Sequence, residues 1–362
     1  MRTNAAIAES KNGQFSIEEL ELNDPGPGEV RIKMQACGIC RSDLSALAGI
    51  ERVQFPAVLG HEGTGLVEAI GAGVKRLREG DQVILSWTPA CGLCPPCIRG
   101  EVQLCQQLSM TEDGLGPLSR NGEAVDRFMK LGAFSEYVMV PEAMAIPIEC
   151  QLDATHSCLI GCGITTGFGA AANTAAVRWG ESVAVFGCGG VGLAAIQGAR
   201  IAGASRIFAI DPLPERLIAA KTVGATDTLS PDDVVKKVIA ETNGGVDVAI
   251  ECVGKPGTMA DSFFMLRAGG RSIVVGLAGL TEMFQIPAIA LLQEKSIKGS
   301  IFGSANPAVE FQKLATLGDK GQLDFDTMVG KVRPFSEINE GFADMREGRY
   351  TRVVLEFDNP AG

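Results

Sequence analysis

Ser182-Val-Ala-Val-Phe186, Gly187-Cys188-Gly189-Gly190-Val191-Gly192, Leu193-Ala-Ala-Ile-Gln-Gly-Ala-Arg-Ile-Ala202 and, after a short break, Arg206-Ile-Phe-Ala-Ile-Asp211 read together as strand, glycine turn, helix and strand. The apolar, partly β-branched run 183–186 has the character of a buried parallel strand. Each spaced glycine has its own task. Gly187 permits the tight turn, Gly189 lets backbone approach a pyrophosphate, and Gly192 lets the helix press against the strand. Gly190 and Val191 open that helix, where unpaired N–H groups and the helix dipole favour phosphate oxygens. Asp211 closes the second strand about 20 residues beyond the turn, where an acid can bond both ribose hydroxyls of NAD and repel a 2′-phosphate. An acid in that register separates this stretch from a glycine-rich loop that binds nothing.

Beyond this unit the alternation continues. Helices are predicted over 213–223, 232–242 and 257–266, and strands over 246–251 and 271–275, the pattern of a parallel sheet with helices on both faces. Residues 297–299 read as a last strand whose edge a second subunit can pair with. Two amphipathic helices, 308–316 and 337–346, and a strand over 352–357 follow. Residues 1–150 differ in texture, with short apolar or alternating runs separated by Pro and Gly turns, and so read as β-rich. The longest irregular stretch, 108–131, is expected to be a surface loop near the site.

With 362 residues and 46% hydrophobic content, the chain can bury more than one core, and about two domains are expected. The net charge of −11 repels nucleic-acid phosphate and anionic membrane surfaces. No apolar run reaches the roughly 18 residues of a membrane span. The first nine residues are too short and too soon charged for a secretory signal. A small-molecule partner, no nucleic acid, no membrane and a cytoplasmic location are therefore expected. Eleven cysteines without a signal argue for thiols and metal rather than a disulfide scaffold.

Cys91, Cys94, Cys97 and Cys105 are separated by two, two and seven residues. Four thiolates so spaced suit a closed tetrahedral zinc site of structural type, with an iron–sulfur cluster or a loop of spare cysteines as the alternatives. A second set is scattered: Cys40 in Cys37-Gly-Ile-Cys40-Arg41-Ser42-Asp43, His61 in Gly60-His61-Glu62-Gly63, and Cys162 in Leu159-Ile-Gly-Cys162-Gly163. Spacing alone does not bring these together. Each also has a plain reading, as a free thiol, a turn histidine and a small core residue. Only two histidines exist, and His156 has no motif around it.

These motifs, with Ile338-Asn-Glu-Gly-Phe342 near the end, make the chain resemble the zinc-dependent, medium-chain alcohol dehydrogenases over nearly its whole length. The resemblance implies an α/β fold of two domains. A GroES-like, β-rich catalytic domain in two segments, 1–163 and 301–362, would enclose an NAD-binding Rossmann domain with a doubly wound parallel sheet, 164–300, the active site lying in the cleft between them. It implies two zinc ions per chain, the catalytic one held by Cys40, His61 and Cys162. Glu62 would lie just behind that metal, Asp43 would accept a hydrogen bond from His61, and Ser42 would take the alcohol proton. Arg41 and Arg352 fall where the family places cations on the cofactor pyrophosphate, and Arg216 where a base touches the adenosine ribose. Trp87 and Phe134, with Ser42, match pocket-lining positions, while Cys37 falls on a non-ligand position. The implied reaction passes a hydride from a zinc-polarised alkoxide to NAD, giving an aldehyde or ketone.

A wide indole near the metal favours primary alcohols that are aromatic, allylic or unbranched. Alternatives on the same scaffold are a glutathione-dependent formaldehyde dehydrogenase and an oxidoreductase that keeps its NAD bound. A dinucleotide-binding protein without chemistry is expected to lack the ligand set that is present here. The expected assembly is a homodimer. Where the family often ends its proton relay on a histidine, this chain has Ser45, which predicts a pH–rate profile without an imidazole-type limb near about pH 6.5.

Overall fold

The computed structural model describes residues 1–109 and 116–358. The apolar run after Ser182 forms strand β1, Ser182–Phe186, with its last four residues buried. It is the centre of a six-stranded parallel sheet with β2 (Arg206–Ile210), β3 (Asp227–Leu229), β4 (Val246–Glu251), β5 (Leu266–Val274) and β6 (Ser296–Gly299). The strand order is β3-β2-β1-β4-β5-β6, so the chain reverses its direction of winding between β1 and β4. Ligands of such sheets bind outside the carboxyl ends of the strands at that reversal. Register makes the place specific, because Phe186 lies beside Ile210 on one side and Glu251 on the other. The turn after Phe186 therefore emerges between two strand ends.

Ala184, Phe186, Phe208, Ile210, Val234, Val238, Ala249 and Phe263 are buried in one core under this sheet. The two glycine tasks are visible in the backbone. Gly187 has φ +83°, which L side chains rarely adopt, and a Cβ at Gly192 would collide with the Gly187 carbonyl. The helix Gly190–Ile201 can start against β1 only because neither atom is there.

The second compact unit is β-rich. Its longest strand, Glu29–Ile39, pairs along one edge with Glu62–Ile70. Its other edge is shared, the first half by Tyr137–Pro141 and the last residues by Val353–Glu356. A second sheet is built on the antiparallel pair Arg2–Ala8 and Phe15–Leu22. The C-terminal helix Ile338–Glu347 closes this unit through Asn339, which donates to the Phe15 carbonyl and accepts from the Phe15 N–H, both at 2.9 Å.

By contacts, one unit comprises Met1–Cys162, Asn306–Gly321 and Val329–Gly362, and the other Gly163–Ala305 and Gln322–Met328. The short return of 322–328 to the parallel-sheet unit was not expected from sequence. It follows from Gln197, buried on the helix after the glycine turn, whose amide donates to the Asp324 carbonyl at 3.1 Å and accepts from the Asp324 N–H at 2.7 Å. A second departure concerns 108–131. Residues 110–115 lie outside the described residues, but the rest is not irregular. Leu118–Arg120 and Glu123–Ala124 form a hairpin across Asn121-Gly122, both with positive φ. Asn-Gly is the standard two-residue hairpin signal and was legible in the sequence.

Phe134, expected to line a substrate pocket, is fully buried, with its ring edge-on to Phe15 at 6.2 Å and to Phe342 at 5.8 Å. It is a core residue that ties the N-terminal strand to the C-terminal helix. Phe134→Ala should therefore lower stability by about 3–5 kcal/mol in chemical denaturation, and a loss under about 1 kcal/mol would contradict this placement.

A candidate active site around Cys40, His61 and Cys162

The strand Glu29–Ile39 ends at Cys40, which is also the N-cap of the helix Arg41–Leu47. Asp43, in the first turn of that helix, is fully buried. Its Oδ2 accepts the Cys40 N–H at 2.8 Å, and its Oδ1 accepts the Gly60 N–H at 3.1 Å. The same Oδ1 takes His61 Nδ1 at 3.0 Å. With Nδ1 so engaged, the ring presents Nε2 as its remaining lone pair, and that atom is buried with no hydrogen-bond partner. Cys162 reaches the same place from the junction of the turn Cys158–Gly161 and the helix Gly163–Gly169. One donor atom from each of Cys40, His61 and Cys162 lies within 4.8 Å of the others. Residues about 20 and 100 positions apart thus meet, as spacing alone could not establish.

This donor set fits zinc. Two sulfurs and one imidazole nitrogen provide three of four tetrahedral positions, the pattern of catalytic rather than structural sites. The electrostatics also ask for a cation. A hydrogen bond from Cys162, together with the charges of Arg352 and His61, holds the Cys40 thiol well below the usual range, while sharing that proton and burial push Cys162 up. Burial opposes charge on His61, but Asp43 and the Cys40 thiolate outweigh it and raise the ring well above its ordinary value. Phe128 stands edge-on to His61 at 5.5 Å between centroids. Sequence reading missed this aromatic; it lies in the stretch taken for a loop.

Other expected residues gather in the same unit. Ser42 is half-buried with its Oγ 3.9 Å from the Cys40 sulfur. Trp87, just beyond the strand Gln82–Leu85, is 7% exposed. Arg41 is exposed at the first position of its helix. Arg352, expected on a pyrophosphate, donates to Glu62 Oε1 at 2.9 Å and to the Ile39 carbonyl at 3.3 Å.

In the four-cysteine lobe, Cys91 and Cys97 sulfurs are 4.0 Å apart, and those of Cys94 and Cys105 are 3.9 Å apart. A tetrahedron with zinc–sulfur bonds of about 2.3 Å has edges of about 3.8 Å, so little adjustment is needed. Backbone N–H groups of Gln106 and Cys97 pull Cys94 down to about 6, and those of Leu93 and Cys94 lower Cys91. Burial pushes Cys97 up to about 12. Cys37, Cys150, Cys158, Cys188 and Cys252 are unbridged and belong to neither cluster.

In the parallel-sheet unit, Asp211 is 2% exposed, and its carboxylate is held at both oxygens. Cys188 N–H in the glycine turn donates to Oδ2 at 2.8 Å, and Leu213 N–H donates to Oδ1 at 3.0 Å. Arg216 stands 3.8 Å from Oδ2, with its Nε buried and without a partner. The acid and the helix N-terminus at Gly190 are thereby fixed relative to each other, as a dinucleotide site requires.

Comparison with known proteins gives this geometry a family. Residues 26–150 match the alcohol dehydrogenase GroES-like domain, and residues 190–318 match the zinc-binding dehydrogenase domain. The chain is 38% identical to the class-3 alcohol dehydrogenase of Myxine glutinosa over 97% of each chain. It is 37% identical to S-(hydroxymethyl)glutathione dehydrogenase of Saccharomyces cerevisiae over 98% of this chain and 96% of that one. Its structure superposes on benzyl alcohol dehydrogenase from Acinetobacter calcoaceticus with a TM-score of 0.94 and 32% identity, covering 99% of this chain and 100% of the other. The chain belongs to the zinc-dependent medium-chain alcohol dehydrogenase family, and it is an oxidoreductase with an α/β fold. Among the described residues, no helix is long and apolar enough to cross a membrane.

The lobe geometry gives a direct test. Cys94→Ser should lower bound zinc by one equivalent per chain and reduce thermal stability, while leaving the second equivalent in place. Undiminished zinc content in that variant would remove the lobe as a metal site.

Proposed function

We propose that this protein oxidises a primary alcohol, aromatic, allylic or unbranched, to the aldehyde with NAD as the hydride acceptor. The observation that carries the reading is the three-donor set of Cys40, His61 and Cys162, one position short of a tetrahedron. When bound there, zinc supplies a Lewis acid that lowers the pKa of an alcohol hydroxyl, as it lowers that of water from about 15.7 to about 7. A nicotinamide cofactor supplies the acceptor for the hydride leaving the alcohol carbon.

The chain's own groups do the rest. Asp43 engages His61 Nδ1 and so orients the ring with Nε2 toward the metal position. Ser42 is assigned to accept the alcohol proton, a role supported by its Oγ standing 3.9 Å from the Cys40 sulfur. Residue 45 is a serine whose carbonyl accepts the Ile50 N–H, and His156 is engaged with Asp153, so the relay ends on no imidazole. The fixed Asp211 carboxylate can receive both ribose hydroxyls and sets a negative charge where a 2′-phosphate would stand, which favours NAD. Arg41 and Arg352 are assigned to the pyrophosphate, Arg216 to the adenosine ribose, and Trp87 to the wall beside the metal.

A second reading keeps this chemistry and changes the substrate to the glutathione adduct of formaldehyde. It is favoured by the 37% identity to S-(hydroxymethyl)glutathione dehydrogenase of Saccharomyces cerevisiae. Assays of the purified protein with NAD and NADP should separate the two. Benzylic and allylic alcohols with NAD should give the highest kcat/KM, with no ionisation near about pH 6.5, and Trp87→Ala should alter the ranking. A dominant rate with formaldehyde and glutathione would transfer the assignment. Cys162→Ala should lose one zinc and lower kcat/KM by about 10³-fold, several kcal/mol of transition-state stabilisation. Retained activity would sink the metal-centred reading.

A two-fold homodimer is part of the proposal. Among the described residues strand β6 pairs only with β5, and Leu280, Met283 and Leu292 are 89%, 84% and 78% exposed. An open strand edge, with exposed apolar side chains shortly before it in sequence, is suited to pairing with its own copy. Sedimentation at micromolar concentration should give two chains per particle; a monomer would contradict it.

A further inference from the structure

Glu251 is the last residue of β4 and lies beside Phe186 of β1 on one side and Val274 of β5 on the other. It is fully buried, a costly place for a carboxylate unless donors surround it. One oxygen is well supplied. Oε1 accepts the Val253 N–H at 2.9 Å, the Gly254 N–H at 2.8 Å and the Thr258 hydroxyl at 2.7 Å. The carbonyl of the same residue accepts the Val275 N–H at 2.8 Å and the Gly276 N–H at 2.9 Å. Glu251 thus fixes the loop after β4 with its side chain and the loop after β5 with its backbone. Its Oε2 makes no hydrogen bond among the described residues and fills the space beside the second loop, where a Cβ on Gly276 would stand 2.7 Å from it.

The two loops also touch, since a Cβ on Gly254, which has φ +81°, would come within 2.3 Å of the Leu277 carbonyl oxygen. On its other side the first loop reaches the glycine turn. Cys252 N–H donates to the Phe186 carbonyl at 2.9 Å, and a Cβ on Gly187 would stand 2.8 Å from a Val253 methyl. Displacing residues 253–254 would therefore displace a wall of the turn that leads to the helix N-terminus at Gly190.

We propose that Glu251 is a positioning residue for the dinucleotide, holding the loops after β4 and β5 against the glycine turn so that the cofactor meets walls already formed. The inference rests on the NAD-dependent reading above and deepens it. Glu251 acts through Val253 and Gly276 rather than by contact with the cofactor, because its side chain is buried beneath them. Without Oε1, two N–H groups and a hydroxyl lose their common acceptor, the loop exchanges one conformation for several, and binding bears the cost of ordering it. The donors of the three-residue metal cluster all belong to the other unit and keep their places.

The test uses full-length protein with zinc in place and NADH as the probe, its binding followed by fluorescence well below the melting transition of each variant. Glu251→Leu should raise the Kd of NADH, and the KM for NAD with it, by about tenfold, the scale expected when buried donors are left unpaired. The KM for the alcohol and the zinc content should stay at wild-type values. Glu251→Gln keeps an acceptor oxygen and should bind NADH within about twofold of the wild type. A role confined to stability would lower Tm and leave the Kd of NADH alone. Wild-type affinity in Glu251→Leu, or equal weakening in Glu251→Gln, would overturn the proposal. If Glu251→Leu does not fold, Thr258→Val decides, since it removes one donor from Oε1. It should weaken NADH binding several-fold, and an unchanged Kd would overturn the proposal. The wild type separates this from the parent reading: absence of NADH binding there would overturn both, whereas binding that Glu251→Leu fails to weaken would overturn this inference alone.

Discussion

Everything at the candidate site depends on one buried carboxylate. Asp43 accepts from Cys40, Gly60 and His61, and so sets the start of a helix, the shape of a turn and the tautomer of a ring with one side chain. Without it, Cys40 and His61 would keep their places in sequence but lose their mutual geometry. A buried acid with three donors around it is well satisfied. The imidazole it orients is not, since its inward nitrogen has no partner among protein groups. That imbalance makes the cluster a place for a cation rather than a piece of core.

The parallel-sheet unit applies the same economy to a different ligand. Asp211 is held by an N–H from the glycine turn and another from the start of the next helix, so the acid cannot shift without the turn. Winding reverses between β1 and β4, which opens space above the turn, and Gly192 lets the helix begin there. In both units a polar group is immobilised by backbone before any ligand arrives. Preorganisation of this kind lowers the ordering cost of binding.

The parallel sheet was legible because its signals are local. Apolar runs, a glycine turn and an acid at fixed spacing fall within about 30 residues, the span of one βαβ unit. The four-cysteine lobe was legible for the same reason. The trio of Cys40, His61 and Cys162 was not legible from spacing, because their meeting depends on sheet register between distant strands, and only the resemblance to a family supplied it. The packing of Phe134 against Phe15 and Phe342 was not legible either, because it joins three distant parts of the chain. Phe128 was overlooked because the Asn121-Gly122 hairpin before it was not recognised. The pairing of Arg352 with Glu62 joins residues 290 positions apart, and no local pattern carries it.

Diffraction from crystals of the purified protein at the zinc absorption edge tests the central claim most directly. The account predicts two anomalous peaks per chain, one inside the four-cysteine lobe and one bounded by Cys40, His61 and Cys162 with its fourth side unfilled by protein. A single peak in the lobe, or a second peak closed by a fourth protein ligand, would contradict it.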